Sequence, residues 1–137
     1  MIVGTGIDLA EIERIQKTID QFGQRFLDRV YTAAEQEYCL RKRRSAESFA
    51  ARFAAKEAGA KALGTGISRG VTWTEIEVVR EASGRPSLKF HGRAAEMAQR
   101  LGVRNAALSL THSNDTAMAS VVLEGREQKD RERGTRD

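Results

Sequence analysis

The residues of this chain whose types suit chemistry lie in three short segments. Asp8 closes the apolar run Ile2–Ile7, Lys56-Glu57 and Lys61 share one helical segment, and His112 stands before Ser113-Asn114-Asp115. A carboxylate at a strand end is where hard cations are commonly held, Mg²⁺ usually by one or two carboxylates together with phosphate oxygens. Asp8-Leu9-Ala10-Glu11 also has the form of a capping box, which would make Asp8 a helix N-cap. Local sequence leaves both readings open. Glu57 and Lys61, four residues apart, would form a helical ion pair contributing only about 0.2–0.5 kcal/mol. Alternatively they join Lys56 and the turn Gly64-Thr65-Gly66 in offering cations and backbone amides to a phosphate. Lys56 falls within the apolar stripe Phe49, Phe53, Ala60 and Leu63, where an unpaired charge is expensive to bury.

His112 has no second histidine near it in sequence, and a lone histidine is more often a packed or hydrogen-bonding residue than a catalyst. Neither His91 nor Cys39 makes a metal-ligand spacing, so a structural zinc site is not expected. There is no Walker loop, no strand-linked GxGxxG and no nucleophile elbow.

The elements that must position these residues follow from periodicity. Ile2–Ile7 is a predicted strand, and Ile12, Ile15, Ile19 and Phe22 form one face of a first helix. Thr32-Ala33-Ala34-Glu35 is a capping box opening a second helix. Ser45 is the expected cap of a third, Ala-rich helix over 46–63, closed by Gly64. Strands are predicted over 71–80 and 87–91 around the turn Ser83-Gly84-Arg85-Pro86, then a helix over 93–101. A hairpin of strands 106–111 and 116–124 follows. This order describes an α+β domain with helices against one antiparallel sheet, spanning residues 1–124. Residues 125–137 hold nothing apolar and are expected to form a disordered tail.

At 137 residues, 40% hydrophobic and 31% charged, the chain has the composition of one soluble globular domain. No apolar run is long enough to span a bilayer, and the N-terminus does not read as a secretory signal. The lone Cys39 cannot form an internal disulfide, so a cytoplasmic location is expected. The net charge of +4 favours an anionic partner without choosing one. The dense cluster Arg41-Lys42-Arg43-Arg44 reads equally as a solvated helix end or as an anion site. An RNA-binding sheet would present several aromatics for base stacking, whereas the later strands hold only Trp73 and Phe90, and nucleic acid is not expected. A non-catalytic assembly protein, using Lys56 and the helices as a trimer face, is the other reading outside enzymology.

Three blocks together resemble the bacterial holo-acyl-carrier-protein synthases of the 4′-phosphopantetheinyl transferase superfamily. They are Gly4-Thr5-Gly6-Ile7-Asp8 with Glu11-Ile12-Glu13-Arg14-Ile15, the run Phe49 to Ala58 continuing to Lys61, and Leu108-Ser109-Leu110-Thr111-His112-Ser113. The resemblance extends from Met1 to about Glu124. It implies a homotrimer with active sites at subunit clefts, serving fatty acid biosynthesis. It implies that Asp8 and Glu57 ligate Mg²⁺, with Glu57 and Lys61 catalytic and Lys61 on the phosphates of coenzyme A. Arg52 and His112 with Ser113 would lie near the nucleotide's phosphate end, and Gly64, Arg85 and Pro86 would help hold the nucleotide. Arg14 and Arg25 would grip the acidic acyl carrier protein. The implied reaction is attack of a carrier serine on the β-phosphate of coenzyme A with loss of 3′,5′-ADP, Glu57 or a metal-bound water accepting the serine proton.

Overall fold

Residues 1–126 are described in the computed structural model of this chain. In order they form β1 (Ile2–Glu11), α1 (Ile12–Phe22), α2 (Gln24–Val30), α3 (Ala33–Leu40) and α4 (Ser45–Ala62). A 3₁₀ turn (Trp73–Glu75) then leads into β2 (Ile76–Arg80), β3 (Pro86–Phe90), α5 (Gly92–Leu101), β4 (Val103–His112) and β5 (Thr116–Gly125). The five strands make one antiparallel sheet in the order β1-β5-β4-β3-β2, which is the α+β class expected.

α4 is the axis of the fold. Its alanines are buried on every side rather than along one stripe, so the single apolar face expected for it is too narrow a description. It lies against β1 because β1 has no side chains in the way. A Cβ on Gly4 would collide with the Ala62 carbonyl oxygen, and one on Gly6 with that of Ala58. On the helix's other flank Gly59 faces Ile76 and Leu88, whose methyls would stand 3.0 Å from an added Cβ.

Lys56 is fully buried, and its partner is Glu35 at 2.7 Å. The ammonium also donates to the carbonyls of Trp73 (3.1 Å) and Ile76 (2.8 Å). Glu35 in turn accepts from the amides of Thr32 (2.8 Å) and Val78 (2.9 Å). The expected capping box at Thr32 is present, and its glutamate serves at once as cap and counter-ion. With Lys56 enclosed in this way, it is not available to an assembly face.

Several boundaries differ from expectation. β1 runs on to Glu11, so Asp8 sits inside a strand opposite Ala119, and Glu11 is the N-cap of α1 without a side-chain bond. The strand continues because its partner β5 is long enough to pair with it throughout, and the Ile12 amide is then taken by the carbonyl of Asp115 at 2.9 Å. Ser45 is the first residue of α4 rather than its cap, the N-cap being Arg44. Residues 73–75 leave the extended form because Thr72 and Glu75 make a second capping box. α2 was not expected, Gly23 at φ 57° having masked a restart whose Leu27 and Val30 are buried. β5 includes Gly125, whose amide donates to Met1 (2.8 Å), and the Arg126 amide donates to Gly102. Gly125 and Arg126 thus belong to the fold rather than to the tail expected over 125–137, and residues 127–137 lie outside the described residues.

Gly6→Ala should lower stability by at least about 1–3 kcal/mol, because two backbones rather than flexible side chains must part. Urea unfolding would check this. An unchanged midpoint would mean that α4 can shift from β1 without loss.

Candidate active site

The seat of α4 on β1 sets the first cluster. Lys61, in the last turn of α4, extends across to β1, where its ammonium donates to Asp8 Oδ1 at 2.9 Å and to the Ile7 carbonyl at 3.2 Å. The helical Glu57–Lys61 ion pair is therefore not formed, and the capping role of Asp8 is not taken up. Glu57 lies one turn earlier on α4 and is half-buried. Burial pushes its carboxyl pKa up, the charge of Asp8 pushes it further, and Lys61 offsets part of the rise. A half-buried carboxylate whose ionisation is opposed by a second one, with a single cation between strand and helix, forms a place where added positive charge is stabilised.

Among the described residues there is no group of three or more His, Cys, Asp and Glu able to hold a metal alone. The Asp8–Glu57 pair has the hard oxygen donors that suit Mg²⁺, which keeps waters or phosphate oxygens in its remaining positions.

A second feature is a groove of about 530 Å³ between α3, α4 and the ends of β2 and β4. Lys42, Arg43, Arg44, Arg52, Arg80 and His112 line it, against a single carboxylate, Glu47, which pairs with Arg44 at 3.3 Å. Arg52 is only 5% exposed, yet among the described residues its hydrogen bonds run to Ser48, Oγ at 3.2 Å and the carbonyl at 3.5 Å. No carboxylate among the described residues stands within ion-pair distance of it. Of the expected nucleotide residues, Arg52 and His112 meet here. Ser113 instead closes the β4–β5 turn, its amide donating to the Thr116 carbonyl (2.9 Å) and its Oγ accepting the Thr116 amide (3.3 Å).

Gly64 follows α4 at φ 82°, while Arg85 lies in the β2–β3 turn and Pro86 opens β3, and none of the three lines this groove. Tyr38 and Arg80 line it and were not anticipated. Tyr38 was readable as part of the helix that leads to the basic cluster, whereas Arg80 arrives from a strand far later in the chain and left no local signal.

A third groove, of about 630 Å³, runs between α1, α2 and β1. Its apolar floor includes Ile15, Phe26 and the stacked rings of Phe53 and Trp73, 4.7 Å apart, and Arg14 and Arg29 line it. Trp73 is thereby spent on packing and does not face outward from the sheet. Arg25 is exposed on α2 and lines none of these grooves.

This arrangement matches a known family. The model of the 4′-phosphopantetheinyl transferase superfamily matches residues 4–120. The chain belongs to that superfamily. Within it, the chain is similar to the holo-[acyl-carrier-protein] synthase of Koribacter versatilis, 57% identical over 124 residues that take in 90% of this chain and 99% of that protein. The synthase of Solibacter usitatus is 53% identical over the same share of each. Among solved structures, the synthase of Neisseria meningitidis superposes with a TM-score of 0.81 at 36% identity, covering 90% of this chain and 99% of that one. A holo-(acyl-carrier-protein) synthase of Bacillus anthracis in complex with CoA (3′,5′-ADP) gives 0.75 at 38% identity, covering 92% and 99%. The superfamily fold is thus the one observed. No helix of the described residues is long and apolar enough to cross a membrane.

Because Asp8 contributes to the raised pKa of Glu57, Asp8→Asn should move the Glu57 pKa down toward the ordinary carboxylate value. Side-chain NMR titration of Glu57 would read this. A pKa that stays in place would show that burial alone sets it.

Proposed function

We propose that this protein transfers the 4′-phosphopantetheine arm of coenzyme A to a serine of an apo-acyl carrier protein and releases 3′,5′-ADP. The observation that carries this reading is the Asp8–Lys61 ion pair beside half-buried Glu57, on the same helix as the buried, carboxylate-free Arg52. The similar synthases bear this activity in their names, and one is seen with CoA (3′,5′-ADP).

In the reaction the serine oxygen forms a bond to the β-phosphorus, and the bridging P–O bond to 3′,5′-ADP breaks, leaving its electron pair on the departing phosphate. Little covalent work falls to the protein, so positioning and charge compensation dominate. Lys61 Nζ meets the developing charge on the phosphoryl oxygens, and the Asp8 carboxylate orients it. The serine proton passes to Glu57 or to a water at the site. Asp8 and Glu57 would hold Mg²⁺, which when bound supplies positive charge to the pyrophosphate. The basic groove with Arg52 and His112 receives the nucleotide's phosphate end, with Gly64, Arg85 and Pro86 supporting the nucleotide. We also infer a homotrimer. The outer face of β1 and β5 presents Ile7, Leu9 and Met118, which are 58%, 56% and 37% exposed, and Lys61 shares a shallow pocket with Ile7 and Ser120. Copies covering this face would bring a neighbour against the reactive cluster.

Incubation with apo-acyl carrier protein, coenzyme A and Mg²⁺ should add the mass of the arm to the carrier, as read by intact mass spectrometry. Excess chelator should abolish the reaction, and Asp8→Ala, Glu57→Ala and Lys61→Ala should each slow it by about 10²-fold or more with the fold retained. Full turnover in chelator, or by the Asp8→Ala/Glu57→Ala double variant, would remove the metal from the reading.

Arg14 is exposed on α1 and lines the apolar third groove, a setting that suits the acidic surface of a carrier, and Arg25, exposed on α2, is a second basic group for it. Arg14→Glu should raise KM for the carrier and leave KM for coenzyme A unchanged, with a defect that shrinks as salt increases. Steady-state kinetics with each substrate varied at two ionic strengths would test this. A defect confined to coenzyme A would place Arg14 elsewhere in the reaction.

A further inference from the structure

Tyr38 has an unusual set of neighbours. Three cations from three parts of the chain stand over its ring: the Arg52 guanidinium of α4 with its carbon 4.2 Å from the ring centroid, the Lys42 ammonium that follows α3 at 4.7 Å, and the Arg80 guanidinium of β2 at 5.0 Å. None of the three is in an ion pair among the described residues, in contrast to Arg41 and Arg44 of the same basic run, which pair with Glu37 and Glu47. Like charges gathered without counter-ions repel, and the electron-rich face of an aromatic ring placed among them offsets part of that repulsion. All four side chains line the same groove, and Arg52 is nine-tenths buried in its wall.

We propose that Tyr38 is the positioning residue of the basic groove: its ring gathers Arg52, Lys42 and Arg80 into one cationic surface that receives the phosphate groups of the nucleotide. This rests on the reading of that groove as the nucleotide site. The ring does two things that a carboxylate could not do together. It offsets the mutual repulsion of the three cations, and it leaves their charge uncancelled for the incoming dianion. A glutamate at the same place would bind the cations more tightly and repel the phosphate. The ring also supplies a rigid reference. Lys42 and Arg80 are exposed side chains with many rotamers, and contact with a fixed ring restricts them before the ligand arrives.

The phenol gives a reporter for this surface. The chain has two tyrosines. Burial holds the Tyr31 hydroxyl well above the ordinary tyrosine value. At Tyr38 burial also pushes upward, but Lys42, Arg52 and Arg80 outweigh it and hold the phenol below the ordinary value. The first phenolate to appear on raising pH is therefore that of Tyr38.

Calorimetric binding of 3′,5′-ADP to the wild type, Tyr38→Phe and Tyr38→Leu proteins separates ring from hydroxyl. Tyr38→Phe keeps the ring and should bind within about threefold of the wild type, whereas Tyr38→Leu should bind roughly tenfold more weakly. In the wild type, saturating 3′,5′-ADP should move the phenolate absorbance of Tyr38 to higher pH, since bound phosphates neutralise the cations that depress it. This second readout needs no variant to fold. Wild-type affinity in Tyr38→Leu, equal losses in Phe and Leu, or a phenolate titration indifferent to 3′,5′-ADP would each overturn the role given to Tyr38 while leaving the transferase reading standing. A wild type that does not bind 3′,5′-ADP would overturn the nucleotide site, and this role with it.

Discussion

Everything chemical in this protein depends on how closely one helix can lie against one strand. Two glycines in β1 let the carbonyl groups of Ala58 and Ala62 come into the space that side chains would fill. That approach brings Lys61 within 2.9 Å of Asp8, across 53 residues of sequence, and sets Glu57 where it senses the same carboxylate. A side chain at either glycine would push the helix outward, and a displacement of about 1 Å is enough to spoil catalytic geometry. The alanines of α4 follow from the same constraint. A helix enclosed on all sides must be thin, and alanine combines small volume with the highest helix propensity.

The buried Lys56–Glu35 pair fixes what the glycines leave free. Close approach sets the distance of α4 from the sheet, whereas a charge that must meet one particular carboxylate and two particular carbonyls sets its rotation. Burying such a pair gains little net stability over well-packed hydrophobes, yet removing one partner typically costs about 3–5 kcal/mol because the other is left uncompensated. Its use here is as a device of register. Adjacent residues on one helix, Lys56 and Glu57, thus divide the work: the first faces inward and holds the helix, and the second faces the reactive cluster.

Much of this was legible in the sequence, and the remainder was hidden for identifiable reasons. The antiparallel α+β architecture followed from strand and helix periods, and the box at Thr32–Glu35 from its residue types. Lys56 in an apolar stripe announced that a partner existed, but Glu35 belongs to another helix and could not be named. Asp8 carried two local readings because a capping box and a strand-end carboxylate look alike until the pairing of β1 with β5 is known. α2 was lost to a glycine that interrupts two short helices rather than ending one. The ring of Tyr38 with its three cations lay beyond sequence reading, since Arg80 reaches it from a distant strand.

β1 stands at the edge of the sheet and its only strand neighbour is β5, the last strand among the described residues. During synthesis, then, β1 leaves the ribosome well before the strand it pairs with. At 5–20 residues per second the interval is roughly 6–20 s. Through that time the apolar residues of β1 and its unpaired amides are exposed to other nascent chains. The helices in between can form and meet early, because their contacts are local, but the pairing that holds Asp8 opposite Lys61 is among the most distant in the chain. Competence for chemistry is therefore acquired at the end of folding. A chain cut short before β5 would carry every reactive residue of the first two motif blocks and still lack the edge that holds them together.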